Sequence, residues 1–518
     1  MHPDDRRKLY AVIFGVLPLA AWLFAVRQTT VLGRPKLALF LRLLWETPHR
    51  PILLGPLVGG VLLAALVAYA IHKLSAPDYA GAPFRTFLRG TAVTSSCALA
   101  RRTTERHAEQ VTVARIPMPT SIESLHLLVS GSTGSGKSVL VRELAYGALL
   151  RRDRIVAADP NGDMVSKFYR PDNGDVILNP YDQRSAGWSF FNEVRNDYDF
   201  KRLSLSIVPR GQTEEEESWR EYARLLLTET ARKLSFLRTP DVRTLFRWLT
   251  VVHPDELKAF LKDTPAESLF VGADRALASA RFVLSSKLPE HLSMPAGNFS
   301  IRTWLEQPKG NLFITWREDM AEALRPLISA WVDVLCTSVL SLGEARQRLW
   351  LFLDELASLE KLASLEAAAT KGRKAGLRIV AGLQSTAQLD KIYGREEAQT
   401  LRSCFRSLVV LGGAKTDPRT CEDMSQSLGE HEVERENRSR SHSLRGGSTT
   451  EYIQRTRERV VLPSQIATLP DLTGYMAFAG DYPIARVKLE ILRFKEREPA
   501  ISERSPFQFQ ADPKEQAC

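Results

Sequence analysis

The sequence predicts an α/β protein: a mostly parallel sheet wrapped by helices and interrupted by an all-α insertion, preceded by two transmembrane helices. Three observations carry that prediction. Residues 131–138 read Gly-Ser-Thr-Gly-Ser-Gly-Lys-Ser and lie between a short apolar run, Leu125–Ser130, and a helical pattern, Val139–Leu150. A second continuous apolar run, Leu349–Leu353, is closed by Asp354 and Glu355. Near the N-terminus, Leu9–Val26 and Ile52–Ile71 are apolar without a single charge.

Residues 1–74 read as a membrane anchor. Each apolar run approaches the roughly 20 residues that an α-helix needs to cross the hydrocarbon core, so 9–26 and 52–71 are two transmembrane helices. Arg6, Arg7 and Lys8 ahead of the first run also suit a signal peptide, but the run is long for one and a second span follows. The connecting loop carries Arg27, Arg34, Lys36, Arg42 and Arg50, more cations than precede the first span, so the positive-inside count does not set the topology. Leu37–Trp45, apolar around Arg42, suits the membrane interface. Gly59 and Gly60 either admit a neighbouring helix or face lipid.

The formal charge of +10 over 518 residues is concentrated at this end. Residues 1–110 hold 14 basic and 6 acidic side chains, leaving 56 and 54 for the rest. A basic excess beside a membrane serves topology or anionic lipid as readily as DNA, so net charge identifies no partner. Five cysteines, at 97, 336, 404, 421 and 518, form no CxxC pair and hence no zinc or disulfide framework.

Strand, glycine-rich turn and helix occur at 125–150 in the order that phosphate binding requires. Gly131, Gly134 and Gly136, with Ser132, Thr133 and Ser135 between them, let backbone N–H groups wrap a triphosphate. The helix N-terminus adds its partial positive charge, Lys137 reaches the β- and γ-phosphates, and Ser138 is a ligand for Mg²⁺. Such a loop needs an acidic partner on a buried strand, and Leu349–Leu353 supplies it. Asp354 is placed to order Mg²⁺ through water and Glu355 to polarise an attacking water, which points to ATP turnover rather than binding alone. A nucleotide-hydrolysing domain faces the cytoplasm, and two spans return the N-terminus to that side.

Further strand-type runs are Arg154–Ala158, Asn311–Trp316, Leu377–Leu383, Leu408–Leu411 and Tyr475–Ala479, alternating with helical stretches at Met320–Leu342 and Leu356–Thr370. The nucleotide-binding domain is therefore expected in two parts, 75–182 and 298–498. Residues 183–297 are expected to form an inserted all-α domain, with Glu214–Glu217 opening the helical pattern Trp219–Leu237. Gln384 ends the strand after the acidic one, where an amide either senses the γ-phosphate or is a structural amide. Arg373, in the turn Lys371-Gly-Arg-Lys374, is either solvated surface or a guanidinium that completes the site of a neighbouring subunit. Glu432–Arg459, polar and rich in Ser and Arg, reads as a long mobile loop, and 499–518 as a loose tail.

The phrases Asp159-Pro-Asn-Gly-Asp-Met164, Asn179-Pro-Tyr-Asp-Gln183 and Leu353-Asp-Glu-Leu-Ala-Ser-Leu-Glu-Lys361 add a resemblance. With the two spans, the glycine-rich loop and Gly382-Leu-Gln-Ser385, the chain resembles the TrwB/TraD-type coupling proteins of conjugative type IV secretion. The resemblance implies a RecA-like nucleotide domain, a membrane-distal all-α domain, a homo-hexamer in the bacterial inner membrane, and ATP-driven pumping of single-stranded plasmid DNA. It also implies partners: a relaxase, an accessory DNA-binding protein and inner-membrane channel subunits. The family's trans-acting arginine maps onto Arg373 and its glutamine onto Gln384. The competing readings are a related ring ATPase for protein secretion or duplex DNA, and a membrane receptor that uses ATP only to switch. Glu355 speaks against the last.

Overall fold

The computed structural model describes residues 3–29, 43, 45–74, 84–270, 274–344, 347–443 and 446–504. The chain divides into two compact units, residues 1–95 with 429–461, and 96–428 with 462–518.

In the first unit, unbroken apolarity gives two long helices, Pro3–Thr29 and Pro51–Leu74. Within them Leu9–Gln28 and Pro51–Ile71 are long and apolar enough to cross a membrane, each with mean hydropathy 2.3. The two helices lie against each other, and the glycine pair divides by role. A Cβ on Gly60 would sit 2.7 Å from Pro18 Cα, whereas one on Gly59 meets nothing within 4 Å. Trp22, Ala25, Leu43 and Leu53 bury one another, and the polar atoms among them are satisfied: Trp22 Nε1 donates to Thr47 Oγ1 at 2.9 Å, which donates to the Leu43 carbonyl at 2.7 Å. Of the interfacial stretch expected at 37–45, residues 37–42 and 44 lie outside the described residues.

The stretch expected as a mobile loop is instead a hairpin, Glu430–Ser443 with Gly446–Arg459, and Thr86–Gly90 pairs antiparallel with its first strand. The reason lies in where the charges stand. The register sets Glu432 opposite Arg457 and Glu434 opposite Arg455. Arg457 Nε reaches Glu430 Oε2 at 2.6 Å, and Arg435 reaches Glu458 Oε1 at 2.5 Å. Val433 and His431 are buried on the same strand. Opposite charges facing across strands stabilise pairing, while composition records only that the segment is highly charged.

In the second unit, nine strands form one sheet: β1 Leu127–Ser130, β2 Arg154–Pro160, β3 Val176–Leu178, β4 Leu312–Trp316, β5 Leu349–Leu353, β6 Leu377–Leu383, β7 Ser407–Leu411, β8 Thr473–Ala477 and β9 Ile484–Lys488. Their order is β9-β8-β7-β1-β6-β5-β2-β4-β3. From β7 through β3 all neighbours are parallel; β8 and β9 add antiparallel at one side. β1, β5 and β7 are buried along their whole length, as continuous Leu/Val/Phe runs covered on both faces must be. β3 and β9 escape the sequence reading because the first has three residues and the second, Ile-Ala-Arg-Val-Lys, has a mixed pattern.

Between β3 and β4 the described elements are helical, the longest being Glu214–Phe236. Thr213 caps it by accepting from the Glu216 N–H, four glutamates fill its first turn, and Leu226, Leu227, Ala231 and Leu234 form its buried stripe. The helix Ala321–Val339 ties this region to the sheet: Ser206 Oγ donates to its buried Asp333 at 2.6 Å. The segment expected as a tail from 499 is seated on the sheet unit through 504, with Ser502 accepting from Gln183 N at 2.9 Å and Arg504 N donating to Tyr181 O at 2.8 Å. Backbone pairing holds it despite its composition. Residues 505–518 lie outside the described residues.

Candidate functional site

β6 separates β1 from β5, with Leu383 opposite Ser130 and Ala381 opposite Leu353. The glycine-rich turn, Gln384 and the Asp354-Glu355 pair therefore leave the sheet side by side at its carboxyl edge, where open α/β sheets place ligands. Gly382 makes the closeness sterically allowed, since a Cβ there would fall 1.8 Å from the Asp354 carbonyl oxygen.

The turn is held by a backbone bond to the end of β6 and by two of its own serine hydroxyls. Gly131 N donates to Leu383 O at 3.0 Å, Ser132 Oγ to Gly412 O at 2.8 Å, and Ser135 Oγ to Ser132 O at 2.7 Å. Gly134 and Gly136 adopt φ of +81° and +112°, a region that favours glycine. The helix Lys137–Leu150 starts directly from the turn, aiming its N-terminus into the cleft.

Ser138 Oγ donates to Asp354 Oδ2 at 2.7 Å, joining residues 216 positions apart. Lys137 Nζ donates to Gly131 O at 2.7 Å; burial lowers the pKa of its ammonium, and the charges of Glu355 and Asp354 oppose that shift. Burial raises the Asp354 carboxyl, with Ser138 and Lys137 working against it. It lifts Glu355 to about 6, Lys137 again opposing. Asp354 Oδ1 and both Glu355 oxygens are buried without a donor in hydrogen-bonding geometry among the described residues, although the Gln384 amide lies close. Buried carboxylate oxygens left open in this way fit a hydrated cation and a water. Thr133 Oγ1 reaches Gln384 Oε1 at 3.3 Å, linking the turn to the next strand end.

These side chains line a cleft of about 750 Å³. Ser132, Thr133, Gly134, Gly136, Lys137 and Ser138 face it with Asp354, Glu355 and Gln384, while Gly131 and Ser135 shape the loop behind. Arg373 is not brought to it. That residue is exposed in the turn before β6, at the opposite edge of the sheet. The cleft also contains residues that sequence reasoning did not single out: Asn161, Trp316, Arg325, Asp471 and Leu472. Asn161 stands within the phrase at 159–164. A lone cation such as Arg325 on a helix gives no signal, because most are solvated surface.

A phosphate-cradling turn that meets a buried acidic pair across one intervening strand defines a P-loop nucleotide-binding α/β protein. Residues 110–490 match the family model described as the type IV secretion-system coupling protein DNA-binding domain, and the chain belongs to that family. It is 30% identical over 404 residues to the coupling protein TraD of Escherichia coli K12, covering 73% of this chain. It spans only 54% of that relative's length. Among solved structures it is similar to the bacterial conjugative coupling protein TrwBΔN70 in an unbound monoclinic form, at 63% identity and TM-score 0.78, covering 82% of this chain and 98% of the other. The plasmid coupling protein TrwB in complex with ADP and Mg²⁺ is similar at 63% identity and TM-score 0.77, covering 82% and 100%.

Proposed function

We propose that this chain is an inner-membrane coupling ATPase that links relaxase-bound plasmid DNA to a type IV secretion channel and pumps the single strand by hydrolysing ATP. The observation that carries the reading is the Ser138–Asp354 contact beside a buried Glu355 carboxylate whose oxygens, with the Gln384 amide close by, have no donor in hydrogen-bonding geometry among the described residues. The two apolar helices anchor it in the lipid bilayer, with the soluble parts in the cytoplasm. Residues 75–182 and 298–498 make the nucleotide domain and 183–297 the all-α domain. A homo-hexamer, an accessory DNA-binding protein and inner-membrane channel subunits complete the assembly.

The backbone N–H groups of 131–138 and Lys137 Nζ would hold the phosphates of ATP, and Ser138 Oγ with Asp354 would hold Mg²⁺. When bound, ATP with Mg²⁺ supplies a γ-phosphoryl group activated for attack by water. Glu355 orients that water and takes its proton on a carboxylate oxygen. Gln384, touching Thr133, reports the state of the turn to β6. Arg373 of one subunit acts at the site of the next.

Transfer between cells separates this reading from its rivals. A Glu355→Gln chain in a donor strain is expected to bring down the relaxase as wild type does while transfer frequency collapses. Unchanged transfer would instead favour a receptor that uses nucleotide only as a switch. Wild-type chain that moves protein but no plasmid strand would favour a protein-secreting relative.

A further inference from the structure

A second cavity, of about 620 Å³, lies at the opposite, amino edge of the same sheet, around the starts of β2, β4 and β5. Its lining carries seven cationic side chains and one carboxylate, Asp153. That carboxylate is engaged, accepting from Trp350 Nε1 at 2.9 Å and pairing with Arg151. Lys167 is held by Asp163. Arg152, Arg170, Lys309, Lys495 and Arg497 have no carboxylate partner among the described residues, in a unit where many other arginines do.

The clustering is unexpected for 111–518, where 56 basic residues balance 54 acidic ones. Arg154, at the cavity's floor, is only 8% exposed and spends its donors on carbonyls, those of Trp304, Leu305, Gln307 and Gly310 at 2.6–3.2 Å. Its buried charge therefore adds to the local positive potential, with no carboxylate partner among the described residues. Arg152 adopts φ of +61°, which a residue with a side chain keeps only where its surroundings enforce it. The turn that enforces it is closed by Arg152 N to Leu149 O at 3.0 Å and Asp153 N to Ala148 O at 2.9 Å. One wall is aromatic: Tyr146 and Phe168 each lie edge-on to Phe494 with ring centroids 5.1 Å away, and Tyr146 is 38% exposed.

We propose that this cavity binds the phosphate and base of a nucleotide unit, at a site separate from the P-loop. Convergent unpaired cations recognise phosphate oxygens, and an exposed ring beside them offers a stacking face to any base. The enclosed volume falls within the range of small-ligand pockets, about 300–1,000 Å³. The ligand chemistry is common to a free nucleotide and to one link of a single strand.

The full chain in detergent micelles distinguishes the two sources and tests the site. ADP and a dT12 oligonucleotide serve as probes, with Arg170→Glu/Lys309→Glu/Arg497→Glu as the variant. For a free nucleotide, wild type binds two ADP per chain and the variant one. For a strand, both bind one ADP, while dT12 affinity falls at least tenfold and the slope of log affinity against log salt flattens by about 2 for three lost contacts. Lys309→Gln/Arg497→Gln, which introduces no new charge, is expected to give the same change at smaller size and covers the case of a misfolded triple variant. ATP turnover without DNA, measured in parallel, stays at the wild-type rate because none of these residues lines the P-loop cleft. If both variants bind both probes as wild type does, the proposal is overturned.

Discussion

Burial holds the Glu355 carboxyl at about 6, well above a solvated glutamate, with Lys137 restraining the rise. A base must be ionised to take a proton, so ATP turnover is expected to rise with pH through about 6 and level off above it. In Glu355→Gln the rate is expected to fall by about 10²- to 10⁴-fold, with the pH limb gone and nucleotide binding kept; a limb unchanged in that variant would assign it to another group. Gly382 tests the spacing of the site. In Gly382→Ala the new methyl group meets the Asp354 carbonyl, and the forced shift is expected to cost about 1–3 kcal/mol in unfolding free energy as well as turnover. At this scale the sequence was informative where a residue stood in a patterned context. Lys137 and Ser138 followed a strand, and Asp354 and Glu355 closed an apolar run that had to be buried. Arg325, Asp471 and Leu472 had no such context, because only the folded chain brings them beside the turn.

Element by element, the strands β5 and β6 were legible to the residue, since burial on both faces demands a nearly continuous apolar run, broken in β6 only by Arg378 near its start. The hairpin at 430–459 was not, because its stability comes from which charge faces which across two strands and from a few buried positions such as Val433. Amide hydrogen exchange is the check. Peptides covering 430–436 and 453–459 are expected to be protected well above random-coil rates, whereas exchange as fast as in an unfolded peptide would restore the loop reading. The paired membrane helices give a matched comparison. Gly60→Leu is expected to disrupt their contact at Pro18 and lower the melting temperature in detergent, while Gly59→Leu, facing open space, leaves it within error. Equal effects of the two would mean that the helices do not meet through Gly60.

At the scale of the molecule, the family and the mixed α/β sheet followed from the loop, the acidic strand and the phrases around them. The helical region between β3 and β4 was legible as helical, whereas its union with the sheet through Ser206 and Asp333 depends on a contact between residues 127 positions apart, which no local pattern announces. One cleft, built from the turn at 131–138 and the pair at 354–355, is proposed to turn over ATP in the service of DNA movement. The most direct measurement is the ATP hydrolysis rate of the full chain in detergent micelles, with and without added single-stranded DNA. The expected result is turnover that DNA stimulates and that Lys137→Thr abolishes. Nucleotide binding without hydrolysis at any DNA concentration, or hydrolysis that persists undiminished in Lys137→Thr, would contradict it.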